Sequence, residues 1–129
     1  ITQPEYELIA KTAAEIEREE SWFPKIKLWT GWVTGNHADR AQQGLQAFQE
    51  LRDGDAAPAI LKLMGKHAAG DVRLLGVNVL RQAPGSKAAT ALATFVIADP
   101  EPEIRRTALE GIVLDEFATV RPLFTLKLK

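Results

Sequence analysis

Asp71-Val72-Arg73-Leu74-Leu75-Gly76-Val77-Asn78-Val79-Leu80-Arg81 returns, 32 residues later, as Glu103-Ile104-Arg105-Arg106-Thr107-Ala108-Leu109-Glu110-Gly111-Ile112. An acid, an apolar residue, an Arg, a small residue and a further apolar residue recur at the same offsets. The period extends outward in both directions. Ile16, Phe48, Leu80 and Ile112 are each 32 apart, as are Leu28, Ile60, Leu92 and Phe124, and Trp32, Met64, Val96 and Leu128. A fourth column is small: Thr12, Gly44, Gly76 and Ala108. A fixed period of this size is the signature of stacked supersecondary units. Within each unit the apolar spacing is helical (Ile60, Leu61, Leu63 and Met64; Leu92, Phe95 and Val96) and not the alternation of a strand.

Each unit reads as a first helix, a short turn and a second helix. First helices are predicted over 4–20, 38–51, 70–82 and 102–114, and second helices over 24–34, 56–68, 86–98 and 119–128. The breakers agree with this division. Arg52-Asp53-Gly54-Asp55 and Pro84-Gly85-Ser86-Lys87 are equivalent turns within units, rich in turn-forming residues. Gly35-Asn36-His37 and Asp99-Pro100-Glu101-Pro102 join one unit to the next. Pro102 suits a first helical position, where its missing N–H is not needed. Asp39, Asp71 and Glu103 share one column and read as first-turn acids favoured by the positive end of the helix dipole. Gly inside a helix costs about 1 kcal/mol relative to Ala, so the Gly44, Gly76, Ala108 column predicts close helix approach there.

The acid, apolar-Arg pair, small residue and Leu of 71–81 and 103–112 resemble the HEAT-repeat family, and most closely its short PBS-lyase HEAT-like branch. Arg73 and Arg105 match that pattern. The second unit departs from it, with Ala41 in the Arg column, and the first unit matches only in its apolar columns. The resemblance implies an all-α, right-handed α-solenoid of about four HEAT-like helix pairs. The units span 4–34, 36–68, 69–98 and 100–129, forming a single domain over 1–129 that is part of a longer protein. Family modules of this kind are mainly protein-interaction scaffolds, and a few bind nucleic acid or bilin pigments; a fold alone does not fix a function.

Composition narrows the chemistry. The chain has 129 residues, 46% hydrophobic and 26% charged, with 16 basic and 17 acidic side chains and a net charge of −1. Cys is absent, which excludes disulfides, thiolate metal sites and a Cys nucleophile. No apolar run approaches the ~20 residues that span a bilayer. His37 and His67 fall in or near turns between units, with no second His or Cys at ligand spacing, so no metal is expected, and no other cofactor either. The paired His-Glu motifs of HEAT-like di-iron hydroxylases do not occur. Ser21 and Ser86 are the only serines, and neither lies in a nucleophile elbow. There is no P-loop or dinucleotide fingerprint. The expectation is a protein without catalytic activity.

Two features bear on binding. Trp22, Trp29 and Trp32 crowd the first of the second helices, with Phe23 beside them. They read either as aromatics closing the end of the stack or, for Trp29, as a surface for stacking a ligand. The charges are also segregated. The second-helix segments, the last taken to the chain end, hold Lys25, Lys27, Lys62, Lys66, Lys87, Arg121, Lys127 and Lys129 and no acid. A concave surface of one sign focuses potential and attracts the opposite charge.

Three roles follow. The first is a scaffold that binds an acidic segment of a protein partner, with Lys27, Thr30, Lys62, Lys66, Thr94 and Trp29 as contacts. The second is nucleic-acid binding, in the manner of HEAT-like DNA glycosylases, although Arg, the better phosphate ligand, is nearly missing from the second helices. The third is a structural spacer. The chain closes on Phe124, Leu126 and Leu128 without a polar capping helix, so further repeats, another domain or a self-associating partner is expected after Lys129.

Overall fold

The computed structural model describes residues 12–115. Among them are seven α-helices, one 3-10 turn and no strand: α1 (Ala13–Glu20), α2 (Trp22–Thr34), α3 (Ala38–Glu50), the turn Gly54–Ala56, α4 (Ala57–Leu63), α5 (Gly70–Gln82), α6 (Ser86–Ala98) and α7 (Pro102–Asp115). The fold is all-α. The helix predicted over 119–128, and with it Phe124, Leu126, Leu128, Arg121, Lys127 and Lys129, lies outside the described residues.

The helix starts have local causes. The Thr12 hydroxyl accepts the Glu15 N–H at 3.1 Å, capping α1. His37 caps α3, its Nδ1 accepting the Arg40 N–H at 3.3 Å. Asp39, Asp71 and Glu103 occupy first turns, and Pro102 opens α7. The turn into α6 needs Gly85, whose φ of 100° is strained for any residue with a Cβ.

The second helices α2, α4 and α6 form a row, α4 lying against both of the others. The first helices lie beside them, α3 extensively on α2, α5 on α4 and α6, and α7 on α6 and α5. Phe48, Ile60, Met64, Leu80, Leu92, Ala108 and Ile112 are buried in one core. The small column is where helices approach closely. A Cβ on Gly44 would stand 2.9 Å from Val33 Cγ2 and 3.0 Å from the Trp29 carbonyl oxygen; one on Gly76 would stand 3.2 Å from Met64 Cβ. Each glycine belongs to a first helix and meets the second helix of the preceding unit.

The turns between units repeat in hydrogen bonding as well as in sequence. Arg73 Nη1 donates to the His67 carbonyl at 2.9 Å, and Arg105 Nη1 donates to the Asp99 carbonyl at 2.7 Å; donors and acceptors are both 32 apart. His67 Nδ1 accepts the Ala69 N–H at 3.0 Å, just as Asp99 Oδ1 accepts the Glu101 N–H at 2.9 Å. Arg73 reaches further, to Asp99 Oδ2 and Glu101 Oε1, both at 3.1 Å.

The first unit departs from expectation in two ways. Thr12 is extended (ψ 155°), so the helix predicted over 4–20 does not run through it and α1 begins at Ala13. The strict 32-residue register also fails in α2. Gly44 meets Val33 and the Trp29 carbonyl, 31 residues before Met64 and Ile60, the contacts of Gly76, as well as Trp32 Cβ, 32 before Met64, so the register there is mixed. Leu28 is accordingly 50% exposed and Ile16 41% exposed, while Ile26 is fully buried. Burial of the large Trp29 indole against the core outweighs burial of Leu28. The other boundary shift is in the second unit. Its helix, predicted over 56–68, ends at Leu63, and Lys66 stands in the turn that follows.

Candidate functional site

The second helices have an outward face whose charges are all of one sign. On α2, α4 with its following turn, and α6, the exposed charged residues are Lys25, Lys27, Lys62 and Lys66. No acid is exposed on these segments. The first helices carry both signs: Asp39, Arg40 and Glu50 on α3, Asp71 and Arg81 on α5, and Glu103, Arg106 and Glu110 on α7. None of the four lysines enters an ion pair with a described residue. Lys25 Nζ lies 4.7 Å from the Trp22 ring and Lys62 Nζ lies 5.5 Å from the Phe23 ring. Both ammonium groups are thus held by aromatic faces.

Lys87 stands apart from this set. Its Nζ lies 2.7 Å from Asp55 Oδ1 and 2.8 Å from Glu19 Oε2, and Arg18 Nε lies 3.3 Å from Asp55 Oδ2. The hydrogen bond to Asp55, followed by that to Glu19, pushes the Lys87 pKa up, and the same bond holds the Asp55 carboxyl below its ordinary range. Asp55 lies outside the second helices, in the 3-10 turn that leads into α4, and neutralises Lys87, so Lys87 does not add to their free positive charge. The sequence held a signal for this pair. Asp55 and Lys87 are 32 residues apart, so stacking of equivalent positions puts them side by side.

The residues expected to contact a partner fall into four groups. Lys66 and Thr94 line one cleft between α4 and α6, together with Leu61, Phe95, Ala98 and Pro100; its volume is about 220 Å3. Lys62 is exposed on α4, toward α2. Lys27 and Thr30 lie on α2, Lys27 exposed and Thr30 half-buried. Trp29 is turned into the stack, edge-to-face with Trp22 (centroids 6.2 Å apart, planes at 67°) and with Phe48 (5.7 Å, 87°). It closes the edge of the core. Trp32 is half-buried beneath the Arg40 guanidinium, 5.0 Å away.

The cleft itself was not legible in the sequence. Leu61 reads there as core, and the structure leaves it half-buried at the cleft, above a Phe95 that is buried as expected. Among the described residues, no cluster of three or more His, Asp or Glu could hold a metal ion, and no helix is long and apolar enough to cross a membrane. His37 and His67 are both engaged through Nδ1 in capping turns. Comparison with protein-family models, with curated proteins and with solved structures gives no match in any of the three, so the functional reading rests on the residues and their geometry.

Proposed function

We propose that the chain is a HEAT-like stretch of right-handed α-solenoid that serves as a protein-interaction scaffold and takes an acidic partner segment on the lysines of its second helices. The observation that carries this reading is the single sign of charge on the exposed face of α2, α4 and α6, set against the mixed charges of α3, α5 and α7. Four lysines without ion-pair partners among the described residues keep their field available to an incoming anion. A carboxylate that reaches them loses little competition from neighbouring acids. The row of second helices and the 32-residue recurrence of the Arg73 and Arg105 bonds support the repeat reading. The mechanism is electrostatic steering onto a preformed surface, with no bond chemistry.

A titration decides between this and the nucleic-acid reading. Tryptophan fluorescence is followed as a poly-glutamate peptide, and separately a short single-stranded DNA, is added at low and moderate salt. The scaffold reading expects poly-glutamate to bind, weakening as salt screens the lysines, and a Lys62→Glu/Lys66→Glu variant to lose that binding. Stronger binding of DNA, with a steep fall in salt, transfers the surface to nucleic acid. If neither ligand binds, the lysines are a solvated face and the spacer role stands.

A further inference from the structure

We infer that the cleft between α4 and α6 takes one bulky apolar side chain, of the size of Leu, Met or Phe, from an acidic partner segment in extended conformation. This anchor selects among acidic segments; the inference rests on the basic-surface reading above. The floor of the cleft is apolar, made by Leu61, Phe95, Ala98 and Pro100, and its rim carries Lys66 and Thr94. Gly65 keeps it open: a Cβ there would meet the Leu61 carbonyl oxygen and stand 3.1 Å from Phe95 Cζ. Phe95, 3% exposed, belongs to the hydrophobic core and closes the bottom of the cleft.

Charge complementarity identifies the occupant. Lys66, at the rim, has no ion-pair partner among the described residues. The one acid beside the cleft, Asp99, is 6% exposed and spent: Arg73 Nε donates to its Oδ2 at 3.1 Å and the Glu101 N–H to its Oδ1 at 2.9 Å. An apolar side chain can thus enter while a carboxylate near it in the same segment meets only Lys66.

The shape suits an extended chain. Leu61 also lines a neighbouring depression of about 260 Å3 with Pro58, Lys87, Thr90 and Ala91. The two share Leu61 and lie one after the other along α6 from Lys87 to Ala98, roughly 16 Å at ~1.5 Å per residue. That is the reach of about five extended residues. Lys87 at the far end is already neutralised by Asp55 and Glu19, so the attraction is concentrated at the Lys66 end, beside the apolar floor.

The test uses two labelled ten-residue peptides, oligo-glutamate with a central leucine and the same peptide with a central serine, read by fluorescence anisotropy. The protein is compared with Ala98→Phe and Thr94→Phe, two exposed positions that line the cleft and whose new rings would occupy it. Circular dichroism confirms that each variant folds. The inference expects the leucine peptide to bind at least about tenfold tighter, the worth of one buried aliphatic side chain. It also expects both variants to lose that preference while still binding both peptides weakly and salt-dependently. Equal, salt-sensitive binding of the two peptides overturns the anchor and leaves the basic surface standing. Binding of neither overturns both. If the protein alone forms a dimer in sedimentation that Ala98→Phe makes monomeric, a second copy fills the cleft and the inference fails.

Discussion

At the scale of single residues, three glycines with the same local cost differ in what surrounds them. Gly31 sits inside α2 with nothing within 4 Å of the place where a Cβ would go. Gly31→Ala gains the helix propensity and should stabilise by ~0.5–1 kcal/mol. Gly44 has the same propensity to gain, but its Cβ would press on Val33 Cγ2 at 2.9 Å and on the Trp29 carbonyl at 3.0 Å. Backbone held in a helix cannot retreat as a flexible side-chain end can, so Gly44→Ala should destabilise. Gly76→Leu places a whole side chain against Met64 and Ile60 and should cost ~1–3 kcal/mol or more. Urea unfolding midpoints should rank Gly31→Ala above the parent, with Gly44→Ala and Gly76→Leu below it. A Gly44→Ala midpoint at or above that of the parent would show that α2 and α3 are not in close contact.

At the scale of elements, what joins one unit to the next is a side-chain fork. Arg73 leaves α5, ties down the His67 and Ala68 carbonyls of the turn before it at 2.9 Å each, and holds Asp99 and Glu101 of the turn after it. The Asp99 side chain is 1% exposed, so removing its cation leaves a buried carboxylate uncompensated. Arg73→Ala should cost ~3–5 kcal/mol. Arg73→Lys should recover only part, since an ammonium cannot span these acceptors as a planar fork does. The Arg73→Ala/Asp99→Ala double variant should lose less than the sum of the single losses. Additive losses in thermal or urea unfolding would mean that the two side chains do not act as a pair. The Arg column was visible in the sequence and its role as a turn clamp was not, because the bonds run to carbonyls, which carry no residue identity.

At the scale of the whole molecule, Lys87 ties together three places far apart in the chain: α1 through Glu19, the turn before α4 through Asp55, and α6 on which it stands. Its pH dependence has two limbs. Asp55 is held below its ordinary 3.8, first by the hydrogen bond from Lys87 and further by the charges of Lys87 and Arg18. A depressed carboxyl contributes stability above its unfolded pKa and loses it as pH falls through the folded value. Lys87 is raised above its ordinary 10.5, first by Asp55 and then by Glu19. That contribution is complete below 10.5 and lost as pH rises through the folded value. The difference in unfolding midpoint between the protein and Lys87→Met should therefore be flat between these limits and shrink beyond both. A difference that is the same at every pH would show that the network adds nothing to stability.

The sequence by itself determined the all-helical class and most helix boundaries from 38 onward, because burial of one face of a helix leaves a 3.6-residue trace. It also placed the turn residues, Pro102 and the first-turn acids, whose causes are local. The tertiary structure decided the rest. It left Leu28 exposed and turned Trp29 against Phe48, a contact between residues distant in the chain. It removed Lys87 from the free lysines through partners at Glu19 and Asp55, and it opened a cleft beside Lys66 where Leu61 stays only half-buried. Local sequence reports what each residue prefers; only packing reports which preferences meet.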